Sequence, residues 1–535
     1  MCSLALVACS TTSTVPDDDK LYTGMRSTKY ENVEKDDHFY AVQEELEEAL
    51  GTAPNNSIFG SAYYRWPWPP FRLWIHNAFA KSDDGIGKWI GKTFGKRPVL
   101  LSSVNPLLHT QVASELLRAR GYFGGYVGYD IISKPNSKKA KVEYHVNFGE
   151  LHTIDTLTYN NFPPAAMQLI DSTRVEAKVK PGDPFDVTTL EAERTRVSNL
   201  LRNNGFFYYQ PGYATYLADT IATAGKAQMR LQYADSLPER VGQKWYVGRV
   251  RLELRKSATE VLRDSTVRRR YTILYNGRRQ PIRTSVVTRD LSLRPGKLYS
   301  YADYTRSINT LNGKGLFSRV DLSFAPHSSA STCDTLDMTL GCVFDKPYNV
   351  SLEANLVGKT TGRVGPGITL GFSQNNAFRG GEKLSINLKG SYEWQTGHQA
   401  DGTSSKFNSY EYGTDVSLEL PRLFLVPRKF MRRRHPYTLP TTLIKASSDV
   451  LNRSGFFKRH IVSGELTYTL HPKANVQHTF SPLILQYEYM QHKTEAFNEI
   501  LQQSPYLLIS MADQFVPKMR YTFTYQSPST YRHPI

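Results

Sequence analysis

Two hydrophobic periods divide this chain. From Pro347 onward apolar residues recur at every second position: Leu384, Ile386, Leu388, Tyr392 and Trp394 share one face, while Lys383, Ser385, Asn387, Lys389, Ser391 and Glu393 share the other. Residues 410–420 and 350–356 repeat the alternation, set against Glu411, Asp415, Ser417 and Glu419 and against Asn349, Ser351, Glu353 and Asn355. A period of two marks a strand with one apolar and one polar face. Stretches 368–372, 442–450, 462–470, 483–489 and 520–525 fit the same pattern and complete a set of long strands with Tyr or Trp near their ends. Such strands suit a wall with lipid on one side and a polar lumen on the other, with interfacial aromatic girdles.

Upstream of Pro347 the apolar period is helical. Val112, Leu116 and Leu117 form one stripe, Leu190, Val197, Leu200 and Leu201 a second, and Tyr304, Ile308 and Leu311 a third. Each stripe ends on a glycine followed by bulky residues: Gly121-Tyr122-Phe123, Gly205-Phe206-Phe207 and Gly315-Leu316-Phe317. Glycine there predicts a left-handed C-cap, with the aromatic folding back on the helix. A strand, a polar turn and a second strand follow, at 126–132 and 140–148 in the first repeat and at 319–324 and 336–344 in the third.

Pro181-Gly182 and Pro295-Gly296 precede the second and third of these helices. Each turn is followed by an aromatic, Phe185 or Tyr299, and by a cap, Asp186 or Ser300. Strands at 153–159 and 245–254 open those two units. The first unit is less regular, with a strand at 21–30, a helix at 39–50 and an aromatic, Pro-rich insertion running from Tyr63 through Trp66, Trp68 and Phe71, which suits a surface turned to a partner or the membrane but is expected to pack on its own domain.

The order β-α-α-β-β, with a Pro-Gly turn before the second helix and a Gly-aromatic at its end, resembles POTRA domains. Three of them ahead of a strand-rich half are similar to the BamA/TamA family of outer-membrane protein assembly factors. The resemblance implies α+β POTRA repeats followed by an antiparallel transmembrane β-barrel, about half of it present. It divides the chain into a lipoprotein signal remnant and tether (1–19), POTRA-like units at 20–149, 150–235 and 236–346, and the N-terminal half of a barrel at 347–535. Family members close a larger barrel, so the chain is expected to be C-terminally truncated. The turn around Phe378, Gly380 and Gly381 looks like the short turn early in the family's barrel. The first strand of that barrel, 349–357, would belong to a lateral seam through which client strands enter the membrane.

Leu6-Val7-Ala8-Cys9 resembles a lipobox, and a Ser/Thr-rich, then acidic tether follows it. This suggests the TamA-like lipoprotein (TamL) of Bacteroidetes-type bacteria, with Cys9 as lipid attachment. Eight residues precede Cys9 and none is Lys or Arg. Either the true start lies upstream or Cys9 is an ordinary cysteine.

The implied job is to receive unfolded outer-membrane or exported clients on POTRA sheet edges and pass them to the barrel. A short sheet has an open edge, and an extended client can add to it through main-chain hydrogen bonds whatever its sequence. Outer-membrane lipid and an inner-membrane TamB-like protein are further partners the resemblance implies. The alternatives are a dedicated two-partner secretion transporter, whose family usually has two POTRA units, and a soluble periplasmic scaffold.

Composition sharpens this in three ways. Mean hydropathy is -0.44 and no apolar stretch is long enough for a spanning helix, so any crossing falls to strands. The net charge of +17 raises nucleic acid as a partner, but the densest basic run, Arg428 to His435, comes with no base-stacking motif or recognition helix, which argues against it. No His-Glu-x-x-His, Gly-x-Ser-x-Gly or Walker loop is present, so no catalytic residue, metal or cofactor is expected. Cys333 and Cys342 read as free thiols, His145 and His152 as isolated surface histidines, and Asp17-Asp18-Asp19 as solvated tether.

Overall fold

The computed structural model describes residues 11–68, 70–80, 85–135, 137–330, 332–359, 363–395, 409–426, 440–453, 456–473, 475–503 and 505–526. Cys9, the basic run 428–435 and the end of the chain from 527 lie outside the described residues. Two compact units form: 1–201 with 208–242, and 202–207 with 243–535.

The first unit begins with β1 (Leu21–Met25) and β2 (Lys29–Glu31), α1 (Asp37–Leu50), α2 (Phe71–Phe79), α3 (Gly85–Phe94), α4 (Leu101–Val104), α5 (Pro106–Ala119), β3 (Tyr126–Ile132) and β4 (Lys139–Asn147). β1 and β2 both run parallel to β4, and β3 is antiparallel to it. The single strand expected at 21–30 is therefore broken. The break has a local cause: Gly24 sits at φ 105, and Met25 donates its N–H to the Ala62 carbonyl of the insertion at 3.0 Å. α1 is capped by Asp36, whose side chain accepts from Phe39 N, and it buries Phe39, Val42, Leu46 and Leu50 at helical spacing. Burying each of these large side chains stabilises by about 1.5–3 kcal/mol.

α5 corrects the expected stripe. Its buried residues are Pro106, Thr110, Ala113 and Leu117, while Val112 is 49% exposed and Leu116 only packs at the margin. Small Ala113 lets the helix approach the sheet, and Val112 lies on the far side.

β5 (Thr153–Asn160), α6 (Pro164–Ser172), α7 (Val187–Asn203), β6 (Ala214–Asp219) and β7 (Lys226–Tyr233) repeat the plan. β5 is parallel and β6 antiparallel to a central β7. α7 buries Leu190, Val197 and Leu201 together with a polar pair. Glu193 is fully buried, clasped by Arg196 at 2.7 and 2.9 Å, by the Tyr159 hydroxyl at 2.8 Å and by Lys178 N at 2.7 Å. A buried carboxylate is tolerated when its lone pairs are filled in this way.

The second unit holds β8 (Tyr246–Arg255), β9 (Asp264–Arg268), β10 (Tyr271–Tyr275), α8 (Thr284–Thr288), α9 (Tyr301–Asn312), β11 (Phe317–Pro326) and β12 (Thr335–Phe344). β8 is parallel and β11 antiparallel to a central β12, as in the other two repeats. The expected β-α-α-β-β order is interrupted here by the β9–β10 hairpin, which extends the sheet beyond β8, and the first helix shrinks to the five residues of α8. Cys333 is half-buried and Cys342 buried, both as free thiols.

Eight antiparallel strands follow: β13 (Tyr348–Lys359), β14 (Arg363–Asn375), β15 (Lys383–Gln395), β16 (Ser409–Leu420), β17 (Thr441–Arg453), β18 (Phe457–Lys473), β19 (Val476–Lys493) and, after α10 (Glu495–Gln503) and α11 (Pro505–Ser510), β20 (Gln514–Tyr525). Each pairs with its sequence neighbour, and the order runs open from β13 to β20. No helix among the described residues is long and apolar enough to cross a membrane.

Candidate functional site

Three structures in this chain can do work: the sheet edges of the repeats, the joints made by the repeated Gly-aromatic motif, and the two-faced eight-stranded sheet.

The outer edges of the first strands differ among repeats. In the first, the edge of β1 is taken by the insertion, with Tyr22 N donating to Val99 O at 2.8 Å and Leu101 N to Lys20 O at 2.9 Å. In the third, the Pro295-Gly296 turn covers the start of β8 through Val247 N to Lys297 O and Gly296 N to Val247 O, at 2.8 and 2.7 Å. β10 then pairs in parallel with Val250 to Glu253. The second repeat has the matching turn, with Gly182 N donating to Ile154 O at 2.7 Å, but no hairpin. From Thr156 onward the outer side of β5 has no backbone partner among the described residues. A strand edge of this kind can accept an added strand.

The Gly-aromatic ends do more than cap helices. Tyr122 N donates to Leu117 O at 2.9 Å and Gly121 N to Arg118 O at 3.2 Å, the paired bonds of a Schellman motif, with Gly121 at φ 94. Tyr122 then turns back into its own core, 3% exposed, against Phe148. Phe123 points the other way and meets Phe185 and His152 of the second repeat, with ring centroids 4.9 and 4.8 Å apart. A Cβ on Gly121 would fall 2.6 Å from Phe185 O, so the close approach needs glycine. Arg120 bridges the same joint, to Glu45 at 2.5 Å and to the helix-capping Asp186 at 2.7 Å.

Within the second unit the pattern recurs. Gly205 (φ 99) receives Trp245 N on its carbonyl at 2.9 Å and faces Leu298, Phe206 is buried, and Phe207 meets Tyr299 at 4.9 Å. Pro181 and Pro295 thus set turns whose Gly182 (φ 93) and Gly296 (φ 77) place the following aromatic in each joint.

At the third helix end Gly315 has φ 61, Phe317 packs on Phe344, and Leu316 lies under the β14–β15 turn. A Cβ on Gly381 of that turn would come 3.0 Å from Leu316. Asn376 Nδ2 donates to Pro281 O at 2.9 Å, Arg283 N to Arg379 O at 2.9 Å, and the Arg283 guanidinium to Phe378 O at 3.2 Å. Gly380 N donates to the buried Glu382 carboxylate at 2.7 Å, while the Phe378 ring stays 55% exposed. These bonds seat the turn on the third repeat. Sequence reasoning missed the joints because each joins residues far apart in the chain, and the repeated second aromatic, Phe123 and Phe207, was the available signal.

The eight-stranded sheet sorts its side chains by face. Register places Val350, Phe372, Ile386, Val416 and Ala446 in one row and Leu352, Leu370 and Leu388 in the next, most of them more than a third exposed. On the opposite face Ser351, Gly371, Asn387, Asp415, Ser447 and Ser463 line up. There Asp415, 3% exposed, accepts from Lys389 at 2.6 Å and Asn387 at 3.0 Å, and Ser447 and Ser463 hydrogen-bond at 2.7 Å. Arg459 pairs with Glu488. Aromatics gather at the two ends of the apolar face: Tyr348, Phe480, Tyr521, Phe523 and Tyr525 at the end near the third repeat, Tyr392, Trp394, Tyr410, Tyr412, Tyr487 and Phe515 at the other.

Asp130, Glu143 and His145 bring three ligand atoms together, but Arg26 and Lys29 already neutralise Glu143, at 3.7 and 3.3 Å. His145 is therefore not isolated; it bonds Asp130 at 2.9 Å.

No family model and no curated protein matches the sequence. Among solved structures the chain is similar to BamA from Haemophilus ducreyi lacking POTRA domains 1-3, with 11% identity and a TM-score of 0.41 over 72% of this chain and 61% of that one. It is also similar to BamA POTRA3-5 from Haemophilus influenzae (10% identity, TM-score 0.30, 62% of this chain and 99% of that one). CdiB from Acinetobacter baumannii is a third (12% identity, TM-score 0.24, 64% and 63%). The chain thus spans about three fifths of the length of the first of these.

Proposed function

We propose that this chain is an outer-membrane assembly or translocation factor of the BamA/TamA kind, with its three repeats in the periplasm and its eight strands in the wall of a transmembrane β-barrel. The observation that carries the reading is the inverted sheet: large apolar side chains outward, bonded polar groups on the other face, and aromatic rows at both strand ends. A soluble sheet buries its apolar face against a second layer, whereas here that face is exposed over eight strands. Upstream stand three sheets of one topology, and the free side of β5 is where an extended client would add a strand. In this reading clients are unfolded outer-membrane or exported proteins, the outer membrane supplies the lipid, and an inner-membrane TamB-like protein is a further partner. Cys9 is proposed as the lipid attachment of a TamL-type lipoprotein, and residues 20–149, 150–235 and 236–346 as the POTRA units.

Depletion in the native host tests the assignment. The folded, heat-modifiable fraction of several unrelated outer-membrane barrels should fall together. Loss of one secreted protein with the barrels intact would point instead to a two-partner transporter, and no change in either would overturn the proposal.

A further inference from the structure

The insertion between α1 and α5 is built unlike the rest of the repeats. It holds four of the chain's six tryptophans, Trp66, Trp68, Trp74 and Trp89, and residues 58–97 carry seven Lys and Arg against two acids. Both acids, Asp83 and Asp84, and one of the seven basic residues, Lys81, lie outside the described residues. The expectation that this segment packs on its own domain holds at its two ends, where Ala62, Tyr63, Val99, Leu101 and Val104 join the core of the first repeat, and at α2, where Leu73 is buried with Val15, Leu21 and Leu100. Between these contacts several large apolar side chains face water: Phe59 is 98% exposed, Tyr64 69%, Trp68 68%, and Phe71 and Trp89 59% each, while Trp74, Ile75, Phe79 and Ile90 are half-buried.

Local packing explains why they stay outside. α2 and α3 meet at glycine, where a Cβ on Gly91 would touch Phe79 Cβ at 3.2 Å. Gly87, one turn before Gly91, is also buried. The glycine face of α3 is thus consumed by the helix pair. What remains outward is Lys88, Trp89, Lys92, Thr93 and Phe94, all exposed, with the Trp89 and Phe94 rings edge to face at 5.8 Å. Trp66, Trp68 and Phe71 line a groove with Arg72 and Lys96.

We infer that this insertion docks on the surface of a lipid bilayer rich in anionic headgroups. A short helix pair with Trp and Phe on its outer side and Lys among them is suited to the headgroup boundary. There the ring bodies enter the acyl edge, the indole N–H stays wet, and the ammonium groups reach phosphates. A protein interface would share the aromatics but is depleted of lysine, and here Lys88 and Lys92 flank Trp89 on the outward side of α3. The start of the chain supports the same surface: Thr14 Oγ1 bonds Asn77 of α2 at 2.5 Å and Val15 packs on Leu73, so the tether after the proposed acylation site lies against α2. The inference goes beyond the assembly function, and only its tether argument rests on the proposed acylation at Cys9.

The test uses the full chain reconstituted in phosphatidylcholine vesicles, with and without phosphatidylglycerol. Each set carries a trace of photoactivatable lipid, and adducts are mapped by mass spectrometry. Adducts on residues 64–97 should rise with phosphatidylglycerol and fall at least about tenfold in Lys88→Glu/Lys92→Glu, two exposed sites outside any core. The exposed side of α7 serves as the baseline. Insertion yields at that baseline, yields indifferent to phosphatidylglycerol and to charge reversal, or cross-links to a second protein chain in place of lipid would each overturn the inference. Adducts on β13 to β15 report the membrane-spanning reading separately, so the two can fail independently.

Discussion

At the scale of the residue, glycine at a joint has two duties that substitution can separate. Gly121 and Gly182 have nearly the same φ, 94 and 93, but a Cβ on Gly121 would collide with Phe185 O, while around Gly182 there is open space. A left-handed non-glycine residue costs about 1–2 kcal/mol, and forcing atoms into a packed joint adds roughly 1–3 kcal/mol. Gly182→Ala should therefore lower the stability of residues 11–345 by about 1–2 kcal/mol and Gly121→Ala by about 2–5 kcal/mol in urea unfolding. Equal losses would mean that conformation alone selects glycine at position 121. The conformational need was legible in the sequence, since a glycine ending an apolar helical stripe has one common use. The steric need was not, because Phe185 lies sixty-four positions away, at the end of a different turn.

At the scale of the element, the repeats share a topology but not an accessible edge. The insertion covers β1, the β9–β10 hairpin covers β8, and β5 is left open beyond its Pro-Gly turn. A backbone-recognising client should select the open strand. A photo-cross-linking residue at Thr156 or Thr158, both exposed, should capture an unfolded outer-membrane protein, and one at the exposed Arg251 of β8 should not. Capture from Arg251 alone would show that the hairpin leaves its place during function.

The strands themselves were readable at this scale, including all eight of the C-terminal sheet, because period-two alternation is local. The β9–β10 hairpin escaped notice since its strands are five residues each, with charged Asp264, Arg268 and Arg269 diluting the pattern. The stripe of α5 was misjudged at Val112 for a related reason. Periodicity weighs residues by apolarity, whereas the sheet selected the small Ala113 for close approach.

At the scale of the whole molecule, the assignment of faces in the eight-stranded sheet decides whether it is a membrane wall. Leu388 and its cross-strand neighbour Leu370 sit in mid-strand on the exposed apolar face. Asn387, the adjacent residue on β15, points to the opposite face and donates to Asp415. A lysine on the lipid face near the bilayer midplane costs about 2–4 kcal/mol, while a lumen position tolerates charge. Asn387→Lys would place its ammonium near a carboxylate that already accepts Lys389. Leu388→Lys should thus shift the urea midpoint for folding of the chain into vesicles by that amount, and Asn387→Lys should leave it close to the parent value. Because the two substitutions occupy neighbouring positions and add the same side chain, differences in strand propensity and net charge cancel between them. Equal effects, or a larger loss at Asn387, would place water on the Leu388 face and remove the membrane from the account of this sheet.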